Sequence, residues 1–133
     1  ASECSKAKYS DIKTDSIYVA DSKGKRSRYV KAENQQQREI LKQFRESGQQ
    51  GRICAVQTGS LQQAFNRECK KQGIKFENGA FHTLRKAFAT EKYKEYRKSG
   101  LTVQQSLNKV SHGLGHGDNR TELLKNYVCC ELN

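Results

Sequence analysis

The chain has 133 residues, a length that predicts one domain with a core of its own and leaves no room for a second domain. Its 25 Lys and Arg residues against 14 Asp and Glu give a formal net charge of +11 at pH 7, which indicates a polyanionic partner. No apolar run approaches the ~18 residues of a membrane span and no secretion signal opens the chain, so we expect a cytoplasmic protein without a membrane partner.

The sheet signals of the chain lie in residues 9–31. The runs 16–20 and 26–30 are rich in residues that favour strands. They flank residues 21–25, whose glycine and short polar side chains predict a turn. We therefore expect a basic antiparallel hairpin in this part of the chain.

A helix is predicted after the hairpin, because apolar residues recur at helical spacing from Glu33 to Ser47 and Gly48 can end the helix in a left-handed conformation. Its narrow apolar stripe consists of Ile40, Leu41 and Phe44. Residues 48–59 are polar and contain several glycines, so they are predicted to be a connection. Within that connection, the sequence leaves open whether the short apolar run 53–56 is a strand or a loop.

Four helices are predicted in the second half: Ser60 to Gly73, about Thr83 to Ser99, Thr102 to about Gly113, and roughly Arg120 to Val128. Ser60 and Thr102 are predicted caps, and glycines are predicted to end the first three helices. Helical spacing predicts which residues of each helix face inward. In the order of the helices these are Leu61, Phe65 and Cys69 in the first; Leu84, Ala87 and Phe88 in the second; Val103, Leu107 and Val110 in the third; and Leu123, Leu124 and Tyr127 in the fourth. The predicted fold class is therefore α+β, mostly helical, with a small antiparallel β-sheet near the N-terminus.

Five residues at predicted turns and helix ends are candidates for chemistry: Lys23, His82, Arg85, His116 and Tyr127. None of them is a carboxylate, so the set lacks the hard oxygen ligands that magnesium prefers. It suits a pentacoordinate phosphorane, because Arg, Lys and protonatable His stabilise the dispersed negative charge. The set therefore predicts phosphoryl transfer without a metal ion or another cofactor.

Four segments, in their order along the chain, resemble the tyrosine recombinases of the phage-integrase family. Residues 81–90 resemble the His-x-x-Arg box of the family, and Leu114-Gly115-His116 resembles its Leu-Gly-His turn. Residues 22–30 are similar to its lysine hairpin, and residues 1–12 resemble the helix and first strand that precede the hairpin. The resemblance extends over residues 1–128 and depends on the joint order of the motifs.

The resemblance implies the catalytic domain of an enzyme for site-specific DNA recombination or integration through a 3′-phosphotyrosyl intermediate. Tyr127 would be the nucleophile, and Lys23 would protonate the departing 5′-oxygen. Arg85 would hold the non-bridging phosphate oxygens, while His82 and His116 would donate to the phosphate or handle the tyrosine proton. Also implied are double-stranded DNA as partner, self-association as a dimer or tetramer on DNA, and a bacterial or phage-encoded protein.

Six further basic residues are predicted to contact DNA: Lys25, Arg26, Arg28, Lys70, Lys71 and Lys86. Other cations on the predicted helices, among them Lys75 and Lys94, could also meet phosphates, and neutralising six to ten phosphates makes affinity fall steeply with salt. The same charge fits an alternative class, a non-catalytic DNA- or RNA-binding module. Phosphate contacts position a protein on DNA without specifying its sequence.

Two departures from the family pattern bear on activity. In this register the first arginine of the family falls just upstream of Ala1, and the chain contains no methionine, so we expect a fragment. Losing one oxyanion donor costs about 10²–10³ in rate, so we expect weak catalysis from these residues alone. The step of eleven residues from His116 to Tyr127 is longer than in the family, and we expect residues 117–120 to absorb the difference in a turn.

Each candidate also has a structural interpretation when it is taken singly. Lys23 can be a solvated turn lysine, His82 a helix cap, and Tyr127 a core tyrosine with its hydroxyl at the surface. His116 can be an ordinary turn residue, and Arg85 the surface neighbour of His82. Only the joint order of these residues favours an active site over five unrelated structural roles.

The five cysteines indicate a reducing compartment. Their number is odd and their spacing fits no disulfide framework, so we expect free thiols. The alternative is a zinc site formed by Cys129, Cys130, His112 and His116. Adjacent cysteines lack the gap that lets both thiolates reach one tetrahedral ion, so the sequence favours no metal site.

Overall fold

The computed structural model describes residues 2–22, 26–117, 120–130 and 132. The chain divides into two compact units, Ala1–Ala64 and Phe65–Asn133. Helices predominate and the described residues form one two-stranded antiparallel sheet, in agreement with the predicted α+β class. That the chain is a single domain stays a prediction. Among the described helices, none has both the length and the apolar composition to cross a membrane.

The first unit contains helix α1 (Ser2–Lys6), a 3₁₀ turn (Tyr9–Asp11), strands β1 (Ser16–Ser22) and β2 (Arg26–Lys31), and helix α2 (Gln35–Glu46). The two strands confirm the predicted hairpin, with Tyr18 opposite Tyr29 and their ring centroids 5.1 Å apart. The sheet assignment was wrong for Tyr9–Asp11, because the Asp11 carboxylate accepts the Lys8 amide at 2.9 Å and closes a tight turn. Of the predicted hairpin turn, residues 23–25 lie outside the described residues.

Helix α2 confirms the third predicted element. The Asn34 side chain caps it by accepting the Gln37 amide at 2.8 Å, and Gly48 follows with a φ of 69°. Its apolar stripe is largely uncovered, since Ile40 is 44% exposed and Phe44 is 36% exposed. The run 53–56, which the sequence left open, is loop.

Four helices follow: α3 (Thr58–Lys71), which begins in the first unit and ends in the second, α4 (Ala80–Lys98), α5 (Val103–Gly113) and α6 (Thr121–Lys125). Thr102 caps α5 as predicted, in a reciprocal pair with Gln105. The prediction that Ser60 caps α3 was wrong, because the helix already begins at Thr58.

Helices α4 and α6 differ from their predicted bounds. Helix α4 begins at Ala80, three residues before the predicted start, because the Asn66 side chain accepts the Ala80 amide at 2.8 Å. Helix α6 ends at Lys125, so Tyr127 lies in the turn that follows and not on the helix.

The core of the second unit is formed by buried residues of α4, α5, α6 and the turns after them: Ala89, Tyr93, Leu107, Val110, Leu114, Leu124 and Val128. The predicted inward face of α4 was wrong, because Leu84 is 56% exposed, Phe88 is 38% exposed and Ala87 is exposed. Leu84 lies five residues before Ala89, which places it about 140° around the helix from the core. Leu123, which is 39% exposed, was likewise wrongly predicted to face inward.

Truncating Leu107 and Leu84 separately tests this burial pattern. Leu107 is 1% exposed, so we expect Leu107→Ala to lower the free energy of unfolding by about 2–5 kcal/mol through the cavity it leaves. Leu84→Ala is the matched control, with an expected change of about 0.5 kcal/mol or less. Urea unfolding followed by circular dichroism measures both changes. Equal losses from the two variants would contradict the placement of Leu84.

Candidate active site

The first turns of α4 carry His82 and Arg85. Because three residues separate them, they share one face of the helix. Arg85 and His82 lie four and seven residues before Ala89, so they extend the core-facing stripe of α4 beyond its buried part. Both side chains are half-buried. The helix thus presents an imidazole and a guanidinium at the edge of the core.

His116 lies in a glycine turn after α5. Gly115 and Gly117 have φ values of 80° and 76°, a region that glycine adopts without strain. The His116 amide donates to the Ser111 carbonyl at 2.9 Å, and the buried Ser111 hydroxyl donates to the Gly117 carbonyl at 2.5 Å. Two hydrogen bonds to Ser111 therefore fix the backbone on both sides of the imidazole.

Arg85 connects α4 to this turn. Its Nη2 donates to the Leu114 carbonyl and lies 3.3 Å from Nε2 of His116. A guanidinium has only donors, so Nε2 is the acceptor in this contact, and a neutral imidazole then carries its proton on Nδ1. The contact therefore selects one tautomer of His116.

Tyr127 lies against both imidazoles. Its ring centroid is 5.5 Å from that of His82 and 5.9 Å from that of His116. The Tyr127 amide donates to the Leu124 carbonyl at 2.9 Å, and Leu124 and Val128 on either side are buried in the core. Packing of its neighbours thus holds the half-buried phenol between the two histidines.

The structure brings together four of the five predicted catalytic residues: His82, Arg85, His116 and Tyr127. The fifth, Lys23, lies outside the described residues. That residues 117–120 absorb the eleven-residue step to Tyr127 stays a prediction, because residues 118 and 119 lie outside the described residues. We refer to these four residues as the His-Arg-Tyr cluster.

The residues predicted to contact DNA have varied surroundings. Arg26, Lys70 and Lys71 are exposed, and Lys71 lies 3.9 Å from Glu68. Arg28 is engaged in the first unit, where its two terminal nitrogens donate to the Glu3 carboxylate at 2.9 and 3.3 Å. Lys86 is half-buried, and Lys25 lies outside the described residues. Their contact with DNA stays a prediction.

The four residues of the zinc alternative, Cys129, Cys130, His112 and His116, do not come together as metal ligands. All five cysteines fall in the described part of the chain and are free thiols. Within that part, His, Cys, Asp and Glu side chains form no group of three or more that could hold a metal ion.

A cavity of about 530 Å³ adjoins the His-Arg-Tyr cluster and shares His82 with it. Its other lining residues include Lys75, Phe76, Lys86 and Lys94. We refer to it as the Lys75 cavity. The sequence indicated the lysines of this cavity only as general phosphate contacts. It gave no sign that Phe76 lines a cavity, because a single aromatic residue in a loop belongs to no periodic pattern.

Two supporting residues were also missed by sequence reasoning. Ser111 follows Leu107 by four residues and so lies on the same buried face of α5. A buried serine needs a hydrogen-bond partner, and this need was the signal in the sequence. Thr90 accepts the Cys129 amide at 2.9 Å and so ties the chain after Tyr127 to α4. Nothing in the sequence indicates this second contact, since 39 residues separate its partners.

Comparison with known proteins gives no assignment: no family model matches the chain, and no match was found among curated proteins or solved structures.

Replacing Tyr127 by leucine tests the geometry of the cluster. The aromatic ring shields nuclei near its face, so its loss should shift the imidazole resonances of His82 and His116 in NMR spectra. His112, which is exposed on α5, is the third histidine of the chain and serves as an internal control whose resonances stay unchanged. Unshifted resonances for all three histidines would contradict the placement of Tyr127.

Proposed function

We propose that the chain belongs to the catalytic domain of a tyrosine recombinase, which cleaves and rejoins DNA through a 3′-phosphotyrosyl bond. The observation that carries the proposal is the position of the Tyr127 ring between His82 and His116, with Arg85 against His116. A nucleophile, two proton-handling groups and a phosphate clamp are the parts that a metal-free phosphoryl transfer needs. The net charge of +11 supports DNA as the substrate.

Tyr127 supplies the nucleophile in this mechanism. Its hydroxyl oxygen attacks the scissile phosphorus and gives up its proton to an imidazole of the cluster. The bond from phosphorus to the 5′-oxygen breaks, and that oxygen leaves as a hydroxyl after taking a proton. Attack by a 5′-hydroxyl from another strand reverses the sequence and releases Tyr127. The resemblance assigns the proton donor to Lys23.

Arg85 supplies the phosphate clamp. Its guanidinium has five N–H donors, and among the described residues only Nη2 finds hydrogen-bond partners. The donors on Nη1 and Nε are therefore left for phosphate oxygens. A bidentate contact of this kind holds a phosphate in one orientation.

His116 is prepared to receive the tyrosine proton. Its Nε2 lone pair faces Arg85 at 3.3 Å in the structure. A phosphate held by Nη1 and Nε draws the guanidinium toward itself, so the contact at Nη2 weakens. Nε2 can then accept the proton of the phenol beside it.

Trapping on nicked DNA tests the proposal. The substrate is a pool of labelled duplexes with randomised sequence, nicked so that cleavage releases a short fragment and leaves the protein attached. Because the product accumulates irreversibly, even slow cleavage yields a covalent adduct that survives denaturing electrophoresis. We expect the adduct from the unaltered chain and none from Tyr127→Phe. Tyr96→Phe, a tyrosine of α4 outside the cluster, is the matched control and keeps the adduct.

The outcomes of trapping separate the proposed function from the alternative class. An adduct that persists in Tyr127→Phe moves the nucleophile to another residue and overturns the assignment. No adduct from the unaltered chain, together with salt-dependent DNA binding, favours a non-catalytic module that binds through exposed cations such as Lys70 and Lys71.

Replacement of Arg85 gives a second, quantitative test. Losing one donor to the developing charge lowers the rate of adduct formation by about 10²–10³ in Arg85→Ala. Arg85→Lys keeps the charge without the planar fork and should recover only part of the rate. Arg67→Ala, an exposed arginine of α3, is the control and leaves the rate unchanged. Equal rates for Arg85→Ala and the control would remove Arg85 from the mechanism.

A further inference from the structure

The Lys75 cavity lies beside the nucleophile but is not used by the mechanism above. It shares His82 with the His-Arg-Tyr cluster, and Cys129, two residues after Tyr127, also lines it. Its volume of about 530 Å³ falls in the range of about 300–1,000 Å³ typical of ligand sites, far more than a single phosphate fills. A strand whose phosphate reaches Tyr127 therefore lies near a cavity large enough for a nucleotide.

Three lysines give the cavity its positive charge. Lys86 and Lys94 extend from α4, two helical turns apart, and Lys75 comes from the loop before α4. Within the described chain, none of the three ammonium groups has an ion pair or a hydrogen bond. Cations that line one cavity from two elements of the chain suit an anionic ligand.

The cavity also contains groups that a simple anion does not use. Phe76 forms an apolar wall, and an aromatic face is the surface on which unpaired bases stack. Glu77 and Glu91 lie in the same lining and would repel a bare phosphate. Carboxylates accept hydrogen bonds from the exocyclic amino groups of bases, so they complement a ligand that carries both a phosphate and a base.

We infer that the Lys75 cavity binds one unpaired nucleotide of the DNA strand whose phosphate reaches the His-Arg-Tyr cluster. The lysines contact its phosphates, Phe76 stacks on its base, and Glu77 or Glu91 accepts from the base edge. That the nucleotide belongs to the strand attacked by Tyr127 rests on the proposed function. Nucleotide binding itself needs no cleavage, so it can be measured without a reactive substrate.

The binding test uses a single-stranded hexamer of thymidine with 2-aminopurine at one central position. Stacking quenches the fluorescence of 2-aminopurine, and anisotropy of a terminal label reports affinity. We expect Phe76→Leu to abolish the quenching and to weaken binding about tenfold, because the variant loses the stacking of one base. Lys75→Ala and Lys94→Ala should each reduce the salt dependence of log K by about 0.7, the value for one contact to a single strand.

Two controls make the result specific. Lys98→Ala removes an exposed lysine of the same helix that does not line the cavity, and it should leave quenching and the salt slope unchanged. Inorganic phosphate should compete poorly, and deoxycytidine monophosphate, whose exocyclic amino group can donate to a carboxylate, should compete better. Quenching that survives in Phe76→Leu, or a loss in Lys98→Ala equal to that in Lys94→Ala, overturns the inference in favour of diffuse charge attraction.

Trapping distinguishes failure of this inference from failure of the proposed function. If the unaltered chain forms the Tyr127 adduct while the cavity variants bind the hexamer normally, the nucleotide site is wrong and the recombinase proposal stands. If no adduct forms while binding still depends on Phe76 and the lysines, the recombinase proposal is wrong and the nucleotide site stands.

Discussion

The candidate site depends on the contacts of the Arg85 guanidinium with the glycine turn after α5. These contacts join two segments that are far apart in sequence. The guanidinium connects the start of α4 to the carbonyl of Leu114 and to the imidazole of His116. Leu114 is buried in the core, so the guanidinium is anchored to the hydrophobic core of the second unit. The cluster is thus an extension of the core packing and not a separate loop assembly.

Elements with a strong local signal were predictable from the sequence. The hairpin strands, the Thr102 cap and the glycines that end helices are specified by residues next to one another. The inward face of α4 was not, because the charged residues around Leu84 do not show which side of the helix meets α5. The buried Ala89 and Tyr93 settle the orientation, and their burial depends on residues far away in sequence.

The candidate site was predictable as a set of residues and not as a geometry. Order along the chain suggested His82, Arg85, His116 and Tyr127, and resemblance to a family carried that suggestion. Local sequence could not show that Ser111 fixes the glycine turn or that Thr90 holds the chain after Tyr127, since both contacts depend on tertiary packing. Lys23 and Lys25 lie outside the described residues, so their predicted roles stay predictions.

The brevity of α6 has a consequence for any displacement of Tyr127. A helix of five residues cannot sustain itself in water, so its conformation is maintained by Leu124 and Val128 inserted among the other helices. Withdrawing Tyr127 from between the imidazoles would pull these two anchors into solvent, at a cost of about 1.5–3 kcal/mol for each. Release of the phenol and partial opening of the hydrophobic interior are therefore one event.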